Sequence, residues 1–285
     1  MSNKFLSTTS AFLLSTSMLV ADVPKVTVDI APVHSLVSKV MNGVGKPDLI
    51  IPAGASPHEY QLKPSNAQSL EDADIVFWIG EDLTPWLEKG LSSLAQDASI
   101  TSLLGVDGIE LLSFREGALF EAHDHDDHDD HDDHDDHDDH DDHGKKKHDD
   151  HDDHDDHEGH AHGEYDPHAW LSPQIAKVWL NVIAAKLSEM DPDNAAKYFS
   201  NAKSARDNVD SLVSEVNSIL DPMRDKKFVV FHDAYQYFEK DFGISASGAI
   251  SLGDASDPSP ARLAEIRKRV VDEAVECVLA EPQYK

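Results

Sequence analysis

Residues 25–43 read KVTVDIAPVHSLVSKVMNG. Lys25 to Ile30 alternates and favours β-branched side chains, as a strand requires. Pro32 suits the first turn of a helix, which runs through Met41 and stops at Asn42-Gly43. The same unit then recurs. Leu49 to Ile51 is a second short strand that opens into the loop PAGASPHEY, Pro52 to Tyr60, and Ser65 to Ala73 is a helix. Ile75 to Ile79 (IVFWI) is apolar throughout, as in a strand buried on both faces. Gly80 begins a turn, Pro85 starts another helix near Trp86, and Ile109 to Leu112 reads as the fourth strand. This β-α-β-α alternation predicts a parallel sheet covered by helices. In such sheets ligands bind beyond the carboxyl ends of the strands, which is where His58 falls.

The second half begins with Tyr165 to Pro173 (YDPHAWLSP). Ser172 followed by Pro173 is a helix cap with proline at the first helical position, and that helix runs to Met190. Asp191-Pro192 restarts a longer helix, with apolar residues at steps of three and four from Ala195 to Leu220. Asp221-Pro222 stops it. Nearly thirty residues of helix span about 42 Å, enough to cross from one domain to another. Beyond it come strand Lys227–Phe231 (KFVVF), helix Tyr235–Phe242, strand Ala246–Leu252, helix Pro260–Ala274 and a strand at Cys277–Ala280. Four elements after the first strand are too few for a sheet covered on both faces, so the chain reads as cut short. The expected organisation is a first lobe over residues 24–190, a linking helix over 191–221 and an incomplete second lobe over 225–285. Each lobe is Rossmann-like, a parallel sheet covered by helices.

Between the two halves lies an insert, bounded at 121–164, of another composition. His123 to His162 holds 14 of the 18 histidines and 20 acidic residues against three lysines, a local net charge of −17 within a total of −31. It has too few apolar residues to build a core and reads as a disordered, solvated loop. Imidazole and carboxylate together suit borderline divalent metals, zinc above all. Histidine at every third place lines one edge of an extended chain at spacings of roughly 9 Å, so adjacent imidazoles share an ion only if the chain bends. A metal-collecting loop that compacts on loading is the reading adopted; a charged solubilising insert is the plainer alternative. The remaining charge of −14 still repels phosphate, which argues against nucleic acid and anionic membrane partners and for cations.

Residues 1–21 read as an export signal, with Lys4 in the positive region and Ala11 to Val20 as a short apolar stretch ending near Ala21. Ten such residues do not span a bilayer. The single cysteine, Cys277, lies far from the signal, so a periplasmic protein without a lipid anchor is expected. The surroundings of Cys277 (Glu276 to Ala280) read as a buried strand. The cysteine reads either as a core thiol or as one half of a disulfide whose partner lies beyond residue 285.

Outside the insert stand His34, His58, His168 and His232. His34 lies in a helix and reads as structural. The other three sit where a strand ends or a helix is about to begin, each beside residues that restrict the backbone. Three strand-end imidazoles pointing into one crevice make a zinc site, with nitrogens at about 2.0–2.1 Å from the ion. Neutral imidazole binds and imidazolium does not, so affinity falls with pH.

The segments PAGASPHEYQLKPS (Pro52 to Ser65), DPHAWLSP (Asp166 to Pro173), FVVFHDAYQYFEKDFG (Phe228 to Gly243) and CVLAEPQ (Cys277 to Gln283) resemble the ZnuA-like zinc-uptake binding proteins, the periplasmic solute receptors of zinc ABC transporters. The resemblance runs through nearly all of the chain after residue 24. It implies two α/β lobes joined by one long rigid helix, with Zn2+ held between them. His58, His168 and His232 match the family's three histidine ligands, and a histidine- and acid-rich loop is a family habit. Manganese-type relatives usually carry Glu at the place of His232, so histidine there favours zinc. Two departures stand out. Family members commonly continue past the AEPQ motif with a unit that often carries an aspartate near the metal and a second cysteine. Some also place an acidic ligand just before the first histidine, where this chain has Pro57; Glu59, on the other side, is expected at the rim or behind a ligand.

The resemblance implies a monomeric receptor that hands zinc to an ABC permease at the inner membrane. The competing reading is a zinc hydrolase using Glu59 or Asp233 as general base, but no HExxH and no nucleophile elbow occur, and no enzyme is expected. A periplasmic zinc buffer working through the insert alone, or a manganese receptor, are the remaining alternatives.

Overall fold

The structure is a computed structural model that describes residues 23–115, 165–251 and 258–281. The expected export signal and the His/Asp-rich insert lie outside the described residues.

The first lobe is built on β1 (Val26–Val28), β2 (Asp48–Leu49), β3 (Ile75–Trp78) and β4 (Ser99–Ser102), paired in the order β2-β1-β3-β4 and parallel throughout. Helices α1 (Ala31–Val40), α2 (Pro64–Glu71) and α3 (Pro85–Leu94) make the crossovers. The central strands β1 and β3 are buried at every residue, the burial expected of a sheet packed by helices. Their carboxyl ends are clamped by Asp29, which is fully buried. Its Oδ1 accepts from the Ile30 amide and its Oδ2 from the Ile79 amide, both at 2.7 Å. Burial outweighs these two donors and pushes the Asp29 carboxyl up to about 7.

One strand is not where the sequence places it. The fourth strand is Ser99–Ser102 (SITS), an edge strand with two exposed and two half-buried residues, so it lacks the apolar run that identifies a buried one. Ile109–Leu112 is instead an irregular segment after Gly108, whose φ of 85° suits glycine. Its apolar side chains pack on the core while its backbone bonds both within the first lobe and across to the second. Leu112 N donates to Tyr237 Oη at 3.0 Å, and Leu112 O accepts from Asp166 N at 2.8 Å.

Helix α4 (Pro173–Met190) begins at Ser172, whose hydroxyl accepts from Ile175 N at 3.2 Å. It buries Ile175, Trp179, Ile183 and Leu187, four positions on one stripe, and Trp179 Nε1 reaches Leu103 O at 2.9 Å. Helix α5 (Ala195–Leu220) follows with 26 residues, about 39 Å of helix. Its first half packs on α4 and α1 through Tyr198, Ala202 and Ala205; its second half leaves Leu212 and Ile219 more than half exposed. Arg224, just past its end, donates to Phe242 O and to Asn217 Oδ1 and so ties the helix terminus to the second lobe.

The second lobe carries β5 (Phe228–His232), β6 (Ala249–Ser251) and β7 (Cys277–Leu279) in the parallel order β6-β5-β7, with α6 (Gln236–Phe242) and α7 (Pro260–Asp272). Helix α6 ends at Gly243, which takes the left-handed conformation at φ 63°. Cys277 departs from the expected core position. It is an exposed free thiol, because β7 is an edge strand and all three of its residues are exposed.

Candidate metal centre

Three separate pieces of chain deliver the three histidines. The ladder from β2 continues through Ile50 and Ile51, whose amides bond Val28 O and Asp29 O at 2.9 Å each, and then releases the loop carrying His58. That loop is pinned from two sides. Trp86 Nε1 donates to Pro57 O at 2.8 Å, and the His58 amide donates to Ser56 Oγ at 3.3 Å. His168 comes from the Asp-Pro-His turn ahead of α4. Asp166 Oδ1 accepts from the His168 amide at 2.9 Å and pairs with its Nδ1 at 2.6 Å. His232 is the last residue of β5, and its Nδ1 pairs with Glu281 Oε1 at 2.5 Å.

These carboxylates set the chemistry of the rings. A carboxylate only accepts, so each facing Nδ1 is the donor of its pair, and Nε2 is the ring nitrogen left to face the cleft. The two nitrogens converge: His168 Nε2 and His232 Nε2 are 3.3 Å apart. In a tetrahedron with metal–nitrogen bonds of 2.0–2.1 Å the edge between two nitrogens is about 3.4 Å. A cation between two neutral imidazoles at that spacing would be held by both. His58 completes the group, with ring centroids 5.6 Å from His168 and 6.4 Å from His232, and one nitrogen of each of the three rings lies within 4.8 Å of the others. His168 and His232 are buried, and His58 is half-buried at the mouth. The cleft of about 200 Å³ is closed by Trp170, Leu171, Tyr235 and Glu281. At about 30 Å³ per water, it has room for an ion and a few waters.

The other sequence candidates stand apart. His34 hydrogen-bonds Pro47 O at 3.1 Å and approaches Ser38 Oγ at 3.5 Å, a structural role in α1. Glu59 is exposed and outside the cluster. Asp233 follows His232 but is occupied. Arg115 Nε donates to both of its oxygens at 3.0 Å, and the same guanidinium reaches Glu239 Oε1 and Oε2 at 3.0 and 2.9 Å. Burial pushes the Asp233 carboxyl up while Arg115 pulls it down.

Sequence reasoning did not assign roles to Asp166, Glu281 or Arg115. The first had a local signal, an aspartate two residues ahead of a candidate ligand. Glu281 lies 49 residues from His232 and becomes its neighbour only because β7 pairs in parallel with β5.

Two parallel α/β sheets with a carboxylate-backed imidazole cluster in the cleft define the class of metal-binding solute receptors. Residues 26–285 match the family model described as "ZnuA: Zinc-uptake complex component A periplasmic", and the chain belongs to that family. Similar relatives include the high-affinity zinc uptake system protein ZnuA of Brucella abortus (strain 2308), 47% identical, with 97% of this chain and 82% of the relative covered. The protein of the same name from Paracoccus denitrificans (strain Pd 1222) is also 47% identical, over 93% of this chain and 78% of its own length. Among solved structures, a ZnuA deletion mutant with zinc bound superposes with a TM-score of 0.68 at 22% identity, over 93% of this chain and 83% of that one, a likeness of fold.

Proposed function

We propose that this chain is a periplasmic receptor that captures Zn2+ between its lobes and delivers it to an ABC-type permease at the inner membrane. His58, His168 and His232 are the metal ligands in this reading. The observation that carries it is the pair of Nε2 atoms held 3.3 Å apart with both Nδ1 atoms backed by carboxylates, with His58 close enough to share an ion with them. Family membership and the high-affinity zinc uptake relatives support zinc as the cargo.

Among the described residues the cluster offers three imidazoles to an ion. That is also how hydrolytic zinc sites are built, but hydrolysis needs a general base near the attacking water. Asp233 is engaged by Arg115, and Glu59 is exposed outside the cluster. We therefore read the chain as a receptor and not an enzyme. Export by residues 1–21, a monomeric state, the division at 24–190, 191–221 and 225–285, and metal collection by the acidic insert belong to the same proposal. The net charge of −31 supports cations over nucleic acid as partners.

Calorimetric zinc titration of the intact protein, a variant lacking residues 123–162 and His168→Ala tests this. One tight site is expected to survive the deletion and to vanish with His168→Ala. Loss of the tight site on deletion alone would instead make the chain a buffer acting through the insert.

A further inference from the structure

Gln236 opens α6 in the second lobe, yet both partners of its amide belong to the first. Its Nε2 donates to Ser113 O at 3.0 Å and to Asp166 Oδ2 at 2.6 Å. Asp166 is 1% exposed, and its other oxygen is taken up by the His168 amide and Nδ1. A buried carboxylate held by one oxygen can still swing about its Cβ–Cγ bond; held by both, it cannot. The donor on the second oxygen is neutral, so it fixes Asp166 without cancelling the charge that keeps the His168 ring basic. A lysine or arginine there would hold the carboxylate equally well and draw that charge away from the imidazole.

We infer that Gln236 is a positioning residue for the metal, acting through Asp166 to set His168 and making this ligand's orientation depend on where the second lobe sits. Parting the lobes withdraws the amide from Asp166 and loosens His168. Opening for handover therefore loosens His168 at the same time as it draws His232 away from the other two rings. This goes beyond the three-histidine site and rests on it.

The experiment compares zinc release into excess chelator, the visible ligand-field spectrum of the cobalt-loaded protein and the melting temperature of metal-free protein. The variants are Gln236→Met, Lys240→Met and His168→Ala. Methionine keeps the length of glutamine and removes the donor. Lys240→Met removes another contact across the lobes, the 2.6 Å pair of Lys240 with Glu110, which does not touch the site. Gln236→Met is expected to release zinc about 10-fold faster, in the range found when a partner behind a metal ligand is lost, and to shift the cobalt spectrum, while Lys240→Met behaves as wild type. Unchanged release in Gln236→Met overturns the inference. So does equal acceleration by Lys240→Met, which would make the effect general tethering of the lobes. If Gln236→Met lowers the melting temperature, the spectrum decides, and an unshifted spectrum again overturns it. Tight zinc binding by His168→Ala would overturn the three-histidine site itself; its loss there beside an unaffected Gln236→Met would overturn only the role of Gln236.

Discussion

His168 and His232 face each other through Nε2 atoms 3.3 Å apart, although one precedes a helix of the first lobe and the other ends a strand of the second. Neither lobe alone holds the pair. The contact forms only when α6 and the segment around Leu112 bring the two sheets together, through Tyr237 Oη donating to Asp166 O at 2.8 Å while accepting from Leu112 N at 3.0 Å.

In the proposed site, replacing any of the three imidazoles leaves two ligands and an incomplete shell. Partners behind a ligand typically contribute 10–100-fold in metal affinity, so loss of a ligand itself in His58→Ala, His168→Ala or His232→Ala is expected to cost at least about 100-fold in zinc affinity. Competition with a calibrated chelator measures this directly.

The carboxylates behind the rings are expected to matter next. Asp166→Asn and Glu281→Gln keep the shape of the side chain but remove the acceptor charge that fixes the Nδ1 proton. Each is expected to weaken zinc binding by about 10–100-fold with little change in the fold. Circular dichroism beside the same chelator assay separates the two effects.

Asp29 makes the metal-free fold sensitive to pH. Its folded-state value of about 7 lies above the ordinary 3.8, so between those values the folded chain holds a proton that the unfolded chain has lost. This group's contribution to stability is therefore full at low pH, declines as pH rises through that window and is flat above it. Asp29→Asn removes the slope. Its amide offers only one acceptor to the Ile30 and Ile79 amides, so it is also expected to destabilise by about 1–3 kcal/mol. Urea unfolding of both proteins at pH 5.5 and 8, in the presence of chelator, shows whether the difference between them changes with pH as described.

Arg115 is the cation that two buried carboxylates share, with Asp233 and Glu239 each about 5–6% exposed. Arg115→Met leaves both without it. Breaking one side of a buried ion pair costs about 3–5 kcal/mol, and a loss of that order is expected in the denaturant midpoint. Arg115→Lys is expected to recover only part of it, because an ammonium cannot fork onto both acids.

Much of the architecture was legible in the chain. The IVFWI run at Ile75 to Ile79 reads as a doubly buried strand, and Ser172-Pro173 announces the start of α4; both stand in the structure. These features are local, set by the hydrophobic period and by the conformational limits of proline and serine. The edge strand Ser99–Ser102 was not legible, because a polar edge carries no burial signal. Ile109–Leu112 was misread for the opposite reason, being apolar enough for a strand but spent on packing between lobes. The second half of α5 shows the same limit, since its apolar spacing predicts a helix and says nothing of what covers Leu212 or Ile219.

By itself, then, the sequence determined the alternation of strands and helices, three histidines placed where a strand ends or a helix is about to begin, and the cationic character of the ligand, since these depend on residue type and near neighbours. Only the tertiary structure decided that the histidines meet, which nitrogens of His168 and His232 face each other, and that Asp166, Glu281 and Gln236 stand behind them. Those are matters of distance between segments many residues apart. Parallel pairing of β5 with β7 and the docking of α6 create them, and no local pattern in the chain encodes how two lobes will face one another.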